Sequence, residues 1–221
     1  MTKATWLVPA GLIAISFVPM AAGTIRLAEL GGGGTRTADN ARFFDQPLPV
    51  VLHIISASVF LLLGAFQFSP GFRRRRAGWH RTAGRLLIPL GVVAALTGLW
   101  MSVMYDLPPA DGTLVMLERL LFGTVMAVAL VLGFAAARRR DIPTHSAWVT
   151  RGYAIGLGAG TQAFTHAPWF LFVGEPGPSA RAFLMGAGWV INLAVAEWAI
   201  RRRRAKSRPQ PDRAAPVPAT P

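Results

Sequence analysis

The sequence predicts an all-α, polytopic membrane bundle of six transmembrane helices, with both termini on the cytoplasmic side. Three observations carry this reading. Hydrophobic residues fill 52% of the 221 positions and charged ones 15%, against roughly 25% charged in ordinary globular proteins. The charges are clustered, and the apolar stretches between them approach the ~20 residues a helix needs to cross a bilayer. The arginine runs follow every second apolar stretch, as the positive-inside rule requires of cytoplasmic loops.

The first span covers about 6–24. Ala21-Ala22-Gly23 offers a cleavage site for a signal peptide, but the apolar run exceeds a usual signal core, which favours a retained first helix. Gly31 to Gly34, with mixed charges from Arg26 to Asp45, reads as an external loop capping the bundle. The second span covers about 49–68 and stops at Ser69-Pro70-Gly71, before Arg73 to Arg76. The third covers about 82–104, and Asp106 to Gly112 form a short acidic external turn. The fourth covers about 114–136 and ends at Arg138 to Arg140. Asp141-Ile142-Pro143-Thr144 carries a capping side chain and a first-turn proline, which start the fifth span, about 146–167. Gly174 to Pro178 turn outside, and the sixth span covers about 182–200. Residues 1–200 thus form the transmembrane domain, and 201–221 a disordered, basic cytoplasmic tail.

Sixteen Lys and Arg residues fall in the inner segments against four outside (Arg26, Arg36, Arg42 and Arg181), which fixes the orientation. The net charge of +13 is therefore an orientation signal that contacts the bilayer and its anionic lipids, rather than a nucleic-acid footprint. The location expected is a bacterial cytoplasmic (inner) membrane, crossed several times. With no Cys, disulfides, iron–sulfur clusters and zinc–thiolate sites are excluded.

Ionisable groups inside a bilayer are costly and mark candidate sites. The four histidines form two layers, His53 with His166 on the outer side and His80 with His145 on the inner side. A histidine pair between packed helices can hold haem b through neutral imidazoles. His80 and His145 open helices, where the dipole disfavours imidazolium, and are the first pair of iron ligands, with His53 and His166 as the second. Arg81, Arg85 and Arg151 lie near, and Arg85 and Arg151 are the propionate partners. The two layers on the fifth helix are about 31 Å apart at the α-helical rise, a long gap for direct electron transfer. The same inner groups suit a phosphate or lipid head group at two helix N-termini.

Other polar residues have structural readings. Glu118 lies at the depth of His53 and is an available hydrogen-bond partner for it. Glu197 matches Arg151 in depth and is a candidate ion-pair partner. Gln162 shares the face of His166, and Gln67 and Asn192 are interhelical hydrogen-bonders. Gly156, Gly158 and Gly160 allow another helix to come close. No nucleophile–base pair or paired carboxylate stands out.

His53, Gly64-Ala65-Phe66-Gln67-Phe68, His80-Arg81 with Gly84-Arg85, and His145-Ser146-Ala147-Trp148-Val149-Thr150-Arg151 together resemble a family of bacterial membrane proteins, the domain-of-unknown-function family 2306. The resemblance covers about 50–172. It implies a multi-helix membrane protein and highlights His53, Gln67, His80, Arg81, Arg85, His145, Trp148 and Arg151, without implying an activity. The family usually carries an arginine after the threonine of the fifth helix, where this chain has Thr161-Gln162-Ala163, and His166 lies beyond the typical boxes.

The leading expectation is a haem-b-binding protein that passes electrons in or across the membrane. Against it stand a non-redox binding or transport protein with a cytoplasmic-side Arg/His site for an anion or lipid, and a structural subunit of a membrane complex.

Overall fold

A computed structural model describes residues 4–206, and they are helical almost throughout. The helices are α1 (Ala4–Ala28), α2 (Ala41–Asp45), α3 (Pro47–Gln67), α4 (Pro70–Arg75), α5 (Ala77–Met104), α6 (Gly112–Arg138), α7 (Ile142–Gly156), α8 (Gly158–Phe172) and α9 (Pro178–Lys206). Helix α9 runs on through Arg201 to Lys206, so the expected tail does not begin at 201; residues 207–221 lie outside the described residues.

Among the described residues, five helices are each long and apolar enough to cross a membrane: α1, α3, α5, α6 and α9. Apolar side chains point outward along them, with Leu7, Phe17 and Phe183 all largely exposed. Such a surface is stable where lipid replaces water.

The expected fifth span is not one helix. It is divided at Leu157 into α7 and α8. Three glycines around the break weaken helical propensity, and each also makes room for a different neighbour. Gly156 faces Phe60, Gly158 faces Trp189, and Gly160 lies against the Ile15 backbone. Asn192 of α9 straps the break. Its amide donates to the Ala154 carbonyl at 3.1 Å, and its oxygen accepts from the Thr161 hydroxyl at 2.8 Å. A broken helix at membrane depth needs such partners for its freed backbone groups.

Packing closes the bundle into a ring. Helix α1 touches α3 and α8, α3 touches α5, and α5 touches α6; α6 then meets α7 and α9, and α9 meets α8. Phe60, Leu130, Met126, Tyr153 and Trp189 belong to the core between them. The Gly64–Phe68 box is explained by packing. A Cβ on Gly64 would lie 2.5 Å from the Tyr153 ring, whose hydroxyl donates to the Leu61 carbonyl at 2.8 Å. Phe68 packs on Tyr153, and Phe66 on Trp6, Phe72 and Trp79.

Local signals at the helix starts are realised. Asp141 caps α7 by accepting from the Thr144 N–H at 3.1 Å, and bonds from Thr144 hold its carboxyl below the usual range. Ser69 caps α4 in the same way through Phe72 N–H.

The loop after α1 folds back over the bundle. Its Gly32 adopts φ 111°, a left-handed conformation that favours glycine. Arg36 pairs with Asp45 at 2.7 Å. Phe43 of α2 carries the guanidinium groups of Arg26 and Arg42 on its ring and packs edge-on against Tyr105.

Candidate functional site

The bundle holds a cavity of about 470 Å³ lined by α2, α3 and α5 to α9. A smaller one of about 130 Å³ reaches toward α1, and the two share His53, Ala94, Met126, Gly156 and Ala159. Small residues create the space, while Leu99, Met126, Ile155, Met185 and Trp189 make apolar walls. Trp189 is held by stacking on Phe122 at 4.6 Å.

One end of the cavity is charged. Asp111 sits in the short turn before α6 and is 2% exposed. It accepts from Arg119 of α6 at 2.7 Å and from Arg181 of α9 at 2.6 Å. Each arginine commits one nitrogen to this carboxylate and keeps further N–H donors. Arg42, Phe43 and Tyr105 complete this end. Tyr105 donates to the Gln46 carbonyl at 2.6 Å, and burial pushes its phenol above the ordinary value. Among the lining residues, three guanidinium groups and one carboxylate leave two positive charges in excess.

His53 stands farther in. Its Nδ1 lies 2.9 Å from the Ala94 carbonyl and 3.2 Å from the Thr97 hydroxyl. A carbonyl oxygen only accepts, so Nδ1 carries a hydrogen, and in the neutral ring Nε2 holds the lone pair. The same argument assigns this tautomer to His145, whose Nδ1 donates to the Gly133 carbonyl at 2.9 Å, and to His166, which donates to the Gln162 carbonyl at 2.8 Å.

The histidine layers are only partly assembled. His166 lies beside Phe170 and does not line either cavity, and the His53 ring is bonded to α5 rather than directed at α8. On the inner side, His80 and His145 are within electrostatic reach of each other, and His80 Nδ1 is buried with no hydrogen-bond partner. Neither lines the cavities described above. Arg81 and Arg85 are exposed on α5, one turn apart on the same face. Arg151 is engaged elsewhere than at a propionate. It forms a bidentate ion pair with Glu197, at 2.5 and 3.1 Å, and its guanidinium lies over the Trp148 ring.

The expected Glu118–His53 hydrogen bond is absent. Glu118 points instead at α9, where a Cβ on Gly186 would lie 2.7 Å from its Oε1, and its Oε2 is buried without a partner. With Leu99 packed on Gly123, Glu118 also lies roughly 10 Å from His53 in depth at the α-helical rise, so the two differ in level as well as in direction. Gln67 likewise has a buried amide with no partner, whereas Gln162 donates to the Met185 carbonyl at 3.1 Å and lines the cavity.

The Asp111–Arg119–Arg181 cluster is what sequence reasoning missed. Asp111 reads as part of an acidic turn because its partners are 8 and 70 residues away. The available signal was Arg119, an arginine inside an apolar span that needs a carboxylate within reach. Among the described residues no group of three His, Asp or Glu side chains is arranged to hold a bare metal ion.

No curated protein and no solved structure matches the chain. Residues 50–200 match the family described as "Predicted membrane protein (DUF2306)". That stretch contains most of α3, all of α4 to α8, most of α9 and nearly the whole cavity lining, leaving out only the α1 and α2 contributions. With more than half of its length matched, and with the histidine, arginine and glycine boxes all inside the match, this chain belongs to that family of membrane proteins.

Proposed function

We propose that this chain is a membrane-embedded binding protein for an amphipathic anion. The acidic group of the ligand lies at the Asp111–Arg119–Arg181 end, and its apolar body extends toward His53. The observation that carries this reading is the cavity itself, with apolar walls, an excess of guanidinium at one end and an imidazole farther in. Its volume is in the range of small-molecule pockets, roughly 300–1,000 Å³.

In this reading the chain crosses a bacterial cytoplasmic membrane six times, α7 and α8 together making the fifth crossing. The arginine-rich helix ends face the cytoplasm and its anionic lipids, and the charged end of the cavity faces outward. The site is thus on the side opposite the Arg/His cluster at His80 and His145. An occupant would arrive from the periplasmic side or the outer leaflet.

The test uses a dibrominated fatty acid, whose bromines quench nearby tryptophan, and the full chain in zwitterionic nanodiscs. A saturable component of tryptophan quenching, assigned to Trp189 by its loss in Trp189→Phe, is expected with the acid and much less with its methyl ester. Ala159→Phe fills the space shared by the two cavities and is expected to weaken saturable binding about tenfold or more, equivalent to about 1.4 kcal/mol. Equal quenching in both proteins would place the probe in the surrounding lipid and contradict the reading.

A further inference from the structure

We infer that the occupant of this cavity is haem b, with His53 Nε2 as an axial ligand to the iron and the arginines of the charged end holding the propionates. The inference rests on the cavity being a ligand site and adds the chemistry of the ligand.

The tautomer is the first support. Iron-ligating imidazoles bind through one nitrogen and donate the other N–H to a carbonyl or carboxylate, which fixes the ring and raises its basicity. His53 makes that bond to Ala94, and its ring lines both cavities. His145 has the same tautomer but lies outside this space, and His80 has Nδ1 unpartnered.

Helix register supplies the second. Thr97 marks the depth of His53 on α5, and Leu99 packs on Gly123 of α6. Arg119 is one turn of α6 beyond Gly123, level with about residue 103 of α5. Six residues of helix then separate it in depth from His53, about 9 Å at the α-helical rise. A porphyrin with its iron at His53 and its edge toward Asp111 would bring its carboxylates to these guanidinium groups.

Charge and wall chemistry agree. The excess of two positive charges at that end equals the charge of two propionates, and an arginine fork suits a carboxylate. The walls are apolar, and Met126 borders both cavities together with His53. A thioether thus lines the same space as the imidazole, and His/Met is a known axial pairing in cytochromes.

The experiment expresses the full chain with added haem precursor and records reduced-minus-oxidised spectra and the pyridine haemochrome of the purified protein. One b-type haem per chain is expected. His53→Gly should abolish the band, and imidazole added to that variant should restore it, which a misfolded protein would not allow. Arg119→Met should keep the band but release haem about tenfold more readily, within the range for groups that support a ligated metal. His80→Ala and His145→Ala should retain the band. A band lost in either of those variants but kept in His53→Gly would overturn this placement in favour of the inner histidines. Absence of haem from the wild-type chain, while the brominated acid still shows saturable quenching, would overturn the haem inference and leave the binding site standing. Absence of both would overturn the two together.

Discussion

Asp111→Ala is expected to destabilise the chain by about 3–5 kcal/mol, the usual consequence of removing one partner from a buried ion pair. The carboxylate is 2% exposed and joins α6 to α9 through Arg119 and Arg181. Its loss leaves two guanidinium groups facing each other with nothing between them, one on each helix. The second effect is on the cavity, because the Pro109–Asp111 turn is held over its charged end by these bonds. Reversible unfolding in mixed micelles measures the change. Removing Arg119 as well, as Arg119→Met in the Asp111→Ala background, should recover part of the loss, and a double-mutant cycle isolates the coupling. A cost below about 1 kcal/mol would mean that the cluster behaves like an exposed surface pair.

Gly160→Val is the second large effect, expected to cost about 3 kcal/mol or more, at or above the upper end of overpacking penalties. A Cβ there would lie 2.3 Å from the Ile15 carbonyl oxygen and 2.9 Å from its carbon. Backbone cannot rotate aside, so α1 must leave α8. Increased protease cleavage in the 31–40 loop should accompany the loss of stability. Gly84→Ala is the control, since nothing lies within 4 Å of a Cβ at that position. It should be neutral or stabilising by up to about 1 kcal/mol. Equal effects of the two substitutions would show that α1 does not pack on α8 as described.

What the sequence made legible was where along the chain the helices run. Apolar run length and arginine placement located the helices, and matching depth correctly suggested Arg151 with Glu197. Direction around a helix was not legible. Glu118 faces α9 while the His53 ring is bonded to α5, and His53 and His166 do not meet at the cavity. The small residues of 152–160 read correctly as a close-approach surface. Their second consequence, the break at Leu157, depends on Phe60, Trp189 and Ile15 arriving from three other helices. The cavity was hidden for a similar reason, because its lining comes from segments scattered between Arg42 and Trp189.

In the function proposed above, the bundle holds a ligand site entered from the side of Asp111. The chain contains no cysteine, so Ala159→Cys introduces a single thiol facing both cavities. A small membrane-impermeant thiol reagent is applied to sealed vesicles of known orientation, with and without the brominated fatty acid. The expected result is labelling from the face bearing Asp111 and protection by the acid. Labelling only from the face bearing Arg138 to Arg140, or labelling that the acid leaves unchanged, would contradict it.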